Sequence, residues 1–302
     1  MKNEIYLGDC IQGMCSLPDK SVNTCITSPP YYGLRDYGCD GQIGLEETPE
    51  SYVQKMVEVF REVKRVLRDD GTLWLNLGDS YAGSVGQLDN GLAKYKQPSR
   101  PNAIGLKPKD LIGIPWRVAF ALQANGWYLR QDIIWHKPNP MPESVTDRCT
   151  KAHEDIFLLS KSPKYYFDNE AIKIPVKQEW GTRDRTSGKY HNDGTGLSPH
   201  SGLEKSYTKA NKRSVWSVTT KPFKGAHFAT YPEDLIVPCV LAGCVEGGLV
   251  LDPFMGAGTT ALVSKKLGRN YVGFELNHEY RNIAIKRIEK ACGALNFNLS
   301  TF

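Results

Sequence analysis

The spacing of apolar positions changes several times along the chain, and each change marks an element. Ile5-Tyr6-Leu7 is a short apolar run stopped by Gly8-Asp9, and Val22-Asn23-Thr24-Cys25-Ile26-Thr27 is a second, stopped by Ser28-Pro29-Pro30-Tyr31. Both read as strands, with a short helix or turn in residues 10–20 between them. Tyr52, Met56, Val59, Phe60, Val63 and Leu67 then recur at helical spacing up to Asp69-Asp70-Gly71, after which Thr72-Leu73-Trp74-Leu75-Asn76-Leu77 returns to a strand pattern. Strand, helix and strand in that order make a βαβ unit, hence a parallel sheet. A helix from Pro115 to Gly126, strand character from Trp127 to Trp135, an extended His136-Lys137-Pro138-Asn139-Pro140-Met141-Pro142 and a strand from Glu154 to Ser160 follow.

In the last third, Thr230-Tyr231-Pro232-Glu233 reads as a capping box opening a helix through Leu241, and Leu249-Val250-Leu251 as a buried strand. A glycine turn from Asp252 to Thr260 leads into a helix from Ala261 to Leu267. Tyr271 to Glu275 is the next strand, and Tyr280, Ile283, Ala284 and Ile288 mark a final helix. This second βαβ unit predicts an α/β sheet assembled from the two ends of the chain, without internal repeats.

Two stretches lack periodicity. Gly78 to Asp110 carries many glycines with Lys94, Lys96, Arg100, Lys107 and Lys109, and a stretch that long inside a domain is usually functional or mobile. Residues 178–214 hold Arg183, Arg185, Lys189, Lys205, Lys209, Lys212 and Arg213 among Gly, Ser, Thr, Asn and His, too little apolar content to fold alone. They read as an inserted basic arm in what is otherwise a single domain.

Composition narrows the class. With 302 residues, 40% hydrophobic and 24% charged, the chain is an ordinary globular one with a sizeable core. No apolar run approaches a membrane span and Met1-Lys2-Asn3-Glu4 does not open a signal peptide, so a cytoplasmic location is expected. The eight cysteines show no Cys-x-x-Cys and no His pair at zinc spacing, so no disulfide framework and no metal site is expected. A net charge of +5 is only mildly basic; the basic loops fit phosphate binding or a solvated face, and both stay open.

The candidate chemistry sits at strand ends. Two prolines in Ser28-Pro29-Pro30-Tyr31 fix φ and remove two donors, leaving a stiff loop whose carbonyls point away from the sheet, with a hydroxyl before it and an aromatic ring after it. A proline-terminated strand with a core tyrosine explains the same residues. Asp252-Pro253-Phe254-Met255-Gly256-Ala257-Gly258-Thr259-Thr260 lies between a strand and a helix, where glycines let backbone approach a ligand and the helix start favours a carboxylate. Glu275, ending the next strand, then suits the ribose hydroxyls of a nucleoside cofactor. A phosphate loop would need the missing Gly-Lys-Ser/Thr, and the dinucleotide fingerprint lacks its third glycine.

Together, Ser-Pro-Pro-Tyr near the amino end and Asp-Pro-Phe-x-Gly-x-Gly-Thr-Thr near the carboxyl end resemble the β-class DNA amino-methyltransferases that use S-adenosyl-L-methionine, in the branch that methylates cytosine N4. The resemblance spans most of the chain. It implies a Rossmann-like, seven-stranded, mostly parallel sheet with helices on both faces and a circularly permuted motif order. The catalytic half is then 1–177, the cofactor half 215–302, and the arm at 178–214 takes the place of target recognition. By resemblance, Asp9 contacts the cofactor adenine, and His227-Phe228-Ala229-Thr230-Tyr231-Pro232 walls its methionine end. Asp252, Pro253, Phe254, Gly256, Gly258, Thr259 and Glu275 complete that site. Trp135-His136-Lys137-Pro138 matches a loop flanking the target base, so Trp135 and Lys137 join Arg183, Arg185, Lys189, Lys212 and Arg213 as candidate DNA contacts. Double-stranded DNA is the implied partner, in a prokaryotic or phage setting with room for a homodimer and a cognate restriction endonuclease.

The chemistry suits these residues independently. An exocyclic amine is a poor nucleophile because its lone pair is delocalised into the ring. Accepting hydrogen bonds from both amine hydrogens draws it towards an attacking geometry, and Ser28 Oγ and the Pro29 carbonyl are two such acceptors. Pro30 stiffens the loop and Tyr31 offers a stacking face worth about 1–3 kcal/mol. A serine hydroxyl is no resting base near neutral pH, so the amine proton is expected to leave to water. Three alternatives remain at this point: Asp9 closing a turn, Trp135 as a core residue, and Pro238-Cys239 as a C5-type nucleophile rather than a buried core pair. Adenine N6 as the target, or a non-catalytic DNA-binding protein on the same fold, are the competing functions.

Overall fold

A computed structural model describes residues 2–83, 106–175, 208–221 and 230–298. The first strand, β1 (Glu4–Leu7), is followed by a single-turn helix α1 (Cys10–Met14), β2 (Val22–Thr27), α2 (Pro49–Val66) and β3 (Leu67–Leu77). Then come α3 (Ile114–Ala124), β4 (Tyr128–His136), β5 (His153–Ser160), the short β6 (Ile174–Pro175) and β7 (Lys209–Ala210), and β8 (Val215–Ser217). The chain ends with α4 (Glu233–Gly243), β9 (Leu249–Asp252), α5 (Thr259–Lys266), β10 (Asn270–Glu275) and α6 (His278–Asn298).

Eight strands form one sheet in the order β1-β10-β9-β2-β3-β5-β4-β8. Only β5 runs against its neighbours, with Leu75 opposite Phe157 on one side and Ile133 opposite Ile156 on the other. The expected seven strands become eight because Val215–Ser217 pairs in parallel with Ile134–His136. Three residues just past the arm are too short to show a period, but Trp216 is buried against Trp74, with ring centroids 6.4 Å apart, and that packing fixes the strand.

Helices cover both faces. Thr48 caps α2 by accepting from Ser51 N–H at 3.1 Å, Pro49 begins it, and Tyr52, Met56, Val59, Phe60 and Val63 are fully buried. At about 1.5–3 kcal/mol for each buried side chain, that stripe outweighs the marginal stability of an isolated helix. Leu73, Leu75 and Leu77 join it in one core, while Trp74 faces a second core containing Leu235, Ile236 and Val240 of α4.

One expected helix start is corrected. The Thr230–Glu233 capping box does not form: α4 begins at Glu233 with Pro232 as its cap and no side-chain capping bond. A residue before proline is driven out of the helical region, so Tyr231 cannot join the first turn and Thr230 is too far away to cap it. Among the described residues no helix is long and apolar enough to cross a membrane.

Candidate active site

Because β1, β2, β9 and β10 are parallel, their carboxyl ends share one edge of the sheet, next to the point where the two halves of the chain meet as β2 and β9. One pocket opens there. Asp9, Ser28, Tyr31, Phe254, Gly256 and Glu275 all contribute to its wall, as do Pro29, Pro30, Thr230, Pro253 and Thr259. The residues singled out at the two ends of the sequence are therefore brought together.

The carboxyl-terminal side is built on the turn after β9. Gly256 has φ +52, and a Cβ placed on it would meet nothing nearer than the Phe254 carbonyl at 4.0 Å, so the glycine supplies both the conformation and open space. Gly258, at φ +77, caps α5 and has a different job: a Cβ there would lie 2.8 Å from that of Ala284, so it lets α6 approach. Glu275 accepts from Gly256 N–H at 2.7 Å and Asn277 N–H at 2.9 Å. Burial raises its carboxyl above the ordinary range, and the residue lines the pocket. Asp9 both caps α1, accepting from Gln12 N–H at 2.9 Å, and lines the pocket, so the turn-closing reading and the pocket reading hold together.

Asp252 needs a correction. Grouped with the cofactor residues by motif, it is 1% exposed and outside the pocket wall. It accepts from Thr27 Oγ1 and Thr260 Oγ1, both at 2.6 Å, from Phe254 N–H at 3.0 Å and from Tyr231 OH at 3.2 Å. It is the bracket that ties the strand before Ser28 to the turn after β9. Burial still raises its carboxyl above the usual 3.8. A raised carboxyl holds its proton better folded than unfolded, so its stabilising share is present at low pH and is lost as pH climbs from about 4 through the raised value. Asp252→Asn carries no charge there. In urea titrations at about pH 4 and about pH 8 the wild type should lose stability relative to this variant on going to the higher pH, and parallel profiles would contradict the assignment.

On the amino-terminal side, the Pro30 carbonyl is held by Tyr52 OH at 2.9 Å, which anchors the loop to α2. The Pro29 carbonyl accepts no hydrogen bond among the described residues. Ser28 Oγ donates to Tyr31 OH at 3.3 Å, and Tyr31 OH donates to Glu154 Oε2 at 2.7 Å. The Tyr31 ring lies on Gly78, where a Cβ would come within 2.4 Å of it, so β3 is followed by the one residue type that leaves the ring room. Asn76 Nδ2 donates to Glu154 Oε2 at 3.2 Å, and Lys137 pairs with Glu154 Oε1. Sequence reasoning missed Glu154 and Asn76. Each reads as an ordinary strand residue until the reversal of β5 places its amino end at the pocket edge.

The expected DNA contacts fare unevenly. Trp135 is 3% exposed, sits in the core and donates Nε1–H to the Val218 carbonyl at 2.8 Å, so the core alternative holds and no stacking face is free. Lys137 is half-buried, its ammonium 4.4 Å from the Trp135 ring centre and paired with Glu154. Lys212 lies 4.9 Å over Trp216, and burial lowers its pKa; Arg213 is exposed. Arg183, Arg185 and Lys189, with Lys94, Lys96, Arg100 and His227–Ala229, lie outside the described residues.

Cys239 is 1% exposed inside α4, and burial pushes its thiol far above the usual range. A thiol that stays protonated in an apolar helix is no nucleophile. Cys239→Ser is expected to cost about 1–3 kcal/mol of stability and to leave the turnover of the folded protein unchanged in a methyl-transfer assay.

Comparison with known proteins gives the family and the fold. The family model described as DNA methylase, for N6 and N4 enzymes, matches residues 22–286. The type II methyltransferase M.Cfr9I of Citrobacter freundii is 48% identical over 291 residues, covering 94% of this chain and 87% of its own length. M.SmaI of Serratia marcescens is 47% identical over 291 residues, covering 94% and 90%. In fold, the chain is similar to the PvuII DNA methyltransferase, cytosine-N4-specific, with TM-score 0.65, 19% identity and coverage of 97% and 91%. It is also similar to TTHA0409 of Thermus thermophilus, a putative DNA modification methylase complexed with S-adenosyl-L-methionine, with TM-score 0.61, 22% identity and coverage of 95% and 93%.

Proposed function

The chain belongs to the N6/N4 DNA methylase family, and we propose that it transfers a methyl group from S-adenosyl-L-methionine to the N4 amine of a flipped cytosine in duplex DNA. The observation that carries the reading is the pair of acceptors at the pocket edge: Ser28 Oγ, a neutral hydroxyl, beside a Pro29 carbonyl with no partner of its own among the described residues.

The pocket residues fit the cofactor by their donor and acceptor types. Glu275 would take the ribose hydroxyls, Asp9 the adenine amine, and the open space over Gly256 the close approach of the nucleoside. When bound, the cofactor supplies an electrophilic methyl group on a sulfonium. Ser28 and the Pro29 carbonyl take the two amine hydrogens, and Tyr31, braced on Gly78, offers its ring to the base. A base inside a duplex cannot reach them, so it is extruded at a cost of a few kcal/mol. The pocket then orients the amine for attack. Transfer would form the N–C bond as the methyl–sulfur bond breaks, leaving the cofactor as a neutral thioether, and the amine proton would pass to water, since the Ser28 hydroxyl cannot hold it near neutral pH. The relatives' type II character supports a restriction endonuclease of the same site as a partner in the cell.

Digestion of methylated DNA to nucleosides, weighed by mass spectrometry, tests the proposal. N4-methylcytosine is expected; N6-methyladenine in its place would overturn the choice of target while leaving the family intact.

A further inference from the structure

Building on the reading of Ser28 as an acceptor, we infer that Glu154 is a positioning residue that sets the direction of the hydrogen-bond chain ending at Ser28 Oγ. A hydroxyl can present either its proton or its lone pairs to a substrate, and its neighbours decide which. An ionised carboxylate can only accept. Tyr31 has one proton and gives it to Glu154 Oε2 at 2.7 Å rather than to Asn76 Oδ1 at 3.3 Å, so its oxygen is left to accept. Ser28 fills that place from 3.3 Å with its own proton, and what remains on Ser28 Oγ is lone pairs.

Run backwards, the chain fails. If Tyr31 donated to Ser28, the serine proton would face the amine, donor against donor. Lys137 pairs with Oε1 and Asn76 Nδ2 donates to Oε2, so both oxygens of Glu154 sit among donors and serve as acceptors, which is what gives the chain one direction. Burial and the Glu154 charge raise the Tyr31 pKa, so the phenol keeps the proton it donates.

The test uses the full-length enzyme and single-turnover methyl transfer on cognate duplex DNA, so that product release does not hide the chemical step. Glu154→Gln puts an amide that can both donate and accept in place of the carboxylate. It should slow transfer about 10-fold or more, about 1.4 kcal/mol, with KM for DNA and calorimetric affinity for S-adenosyl-L-methionine within about twofold of the wild type. In a Ser28→Ala background the same change should slow transfer no further, because the chain it directs has lost its end. Tyr31→Phe, which keeps the ring and cuts the link, gives the same pair of readings should Glu154→Gln fail to fold. A wild-type transfer rate in Glu154→Gln, or losses that multiply in the double variant, would overturn the inference and leave Glu154 as scaffolding. A wild-type rate in Ser28→Ala would overturn the acceptor reading itself and the inference with it.

Discussion

Ser28→Ala is expected to bind S-adenosyl-L-methionine as tightly as the wild type and to transfer methyl groups on the order of 10²-fold more slowly, the scale of losing one preorganised polar contact to a reacting group. The two halves of that expectation come from different contacts. Ser28 bonds to Tyr31 and touches neither Glu275 nor the Gly256 turn through any hydrogen bond, so the cofactor side should not notice its loss. The amine loses one of two acceptors, and the one left, the Pro29 carbonyl, cannot hold both hydrogens in line. Calorimetry for affinity and single-turnover kinetics for rate separate the two. Unchanged transfer would remove Ser28 from the mechanism.

Glu275→Ala should do the opposite. Charge-assisted hydrogen bonds are worth about 1.5–3 kcal/mol, so losing the carboxylate we propose for the ribose hydroxyls should weaken cofactor binding roughly 10- to 100-fold. The truncation also frees Gly256 N–H and Asn277 N–H, which the carboxylate now holds, so the turn itself loosens. Glu275→Gln keeps an acceptor but not the charge and should fall between. Calorimetric titration of both variants, with circular dichroism to show an intact fold, checks the order; wild-type affinity in Glu275→Ala would place the ribose elsewhere.

Much of this site was legible in the sequence for one reason: a glycine turn and a double proline act through backbone, and backbone constraints are written locally. Ser28, Gly256 and Glu275 each end or follow a strand whose period is plain, and parallel strands put such ends on one edge. What was not legible depends on pairing. Glu154 lies near the start of a strand whose direction no local pattern reveals, and only its antiparallel register beside β3 carries it to Tyr31. Trp135 and Asp252 carry motif identities that suggest a ligand. The faces they occupy, buried in both cases, are decided by neighbours distant in sequence.

The Thr27–Asp252 hydrogen bond joins residues 225 positions apart, and the Thr24–Val250 and Cys25–Leu251 pairs beside it close the same span. Contacts of such long range form only after most of the chain's loop-closure entropy has been spent, so this seam should be among the later events of folding. Ser28 and Pro253 each stand one residue beyond it. A nascent chain with a complete amino-terminal half would therefore own the acceptor loop without the turn it faces. Activity should appear in refolding experiments no earlier than the slowest phase that docks the two ends, a safeguard against modifying DNA from a half-made enzyme.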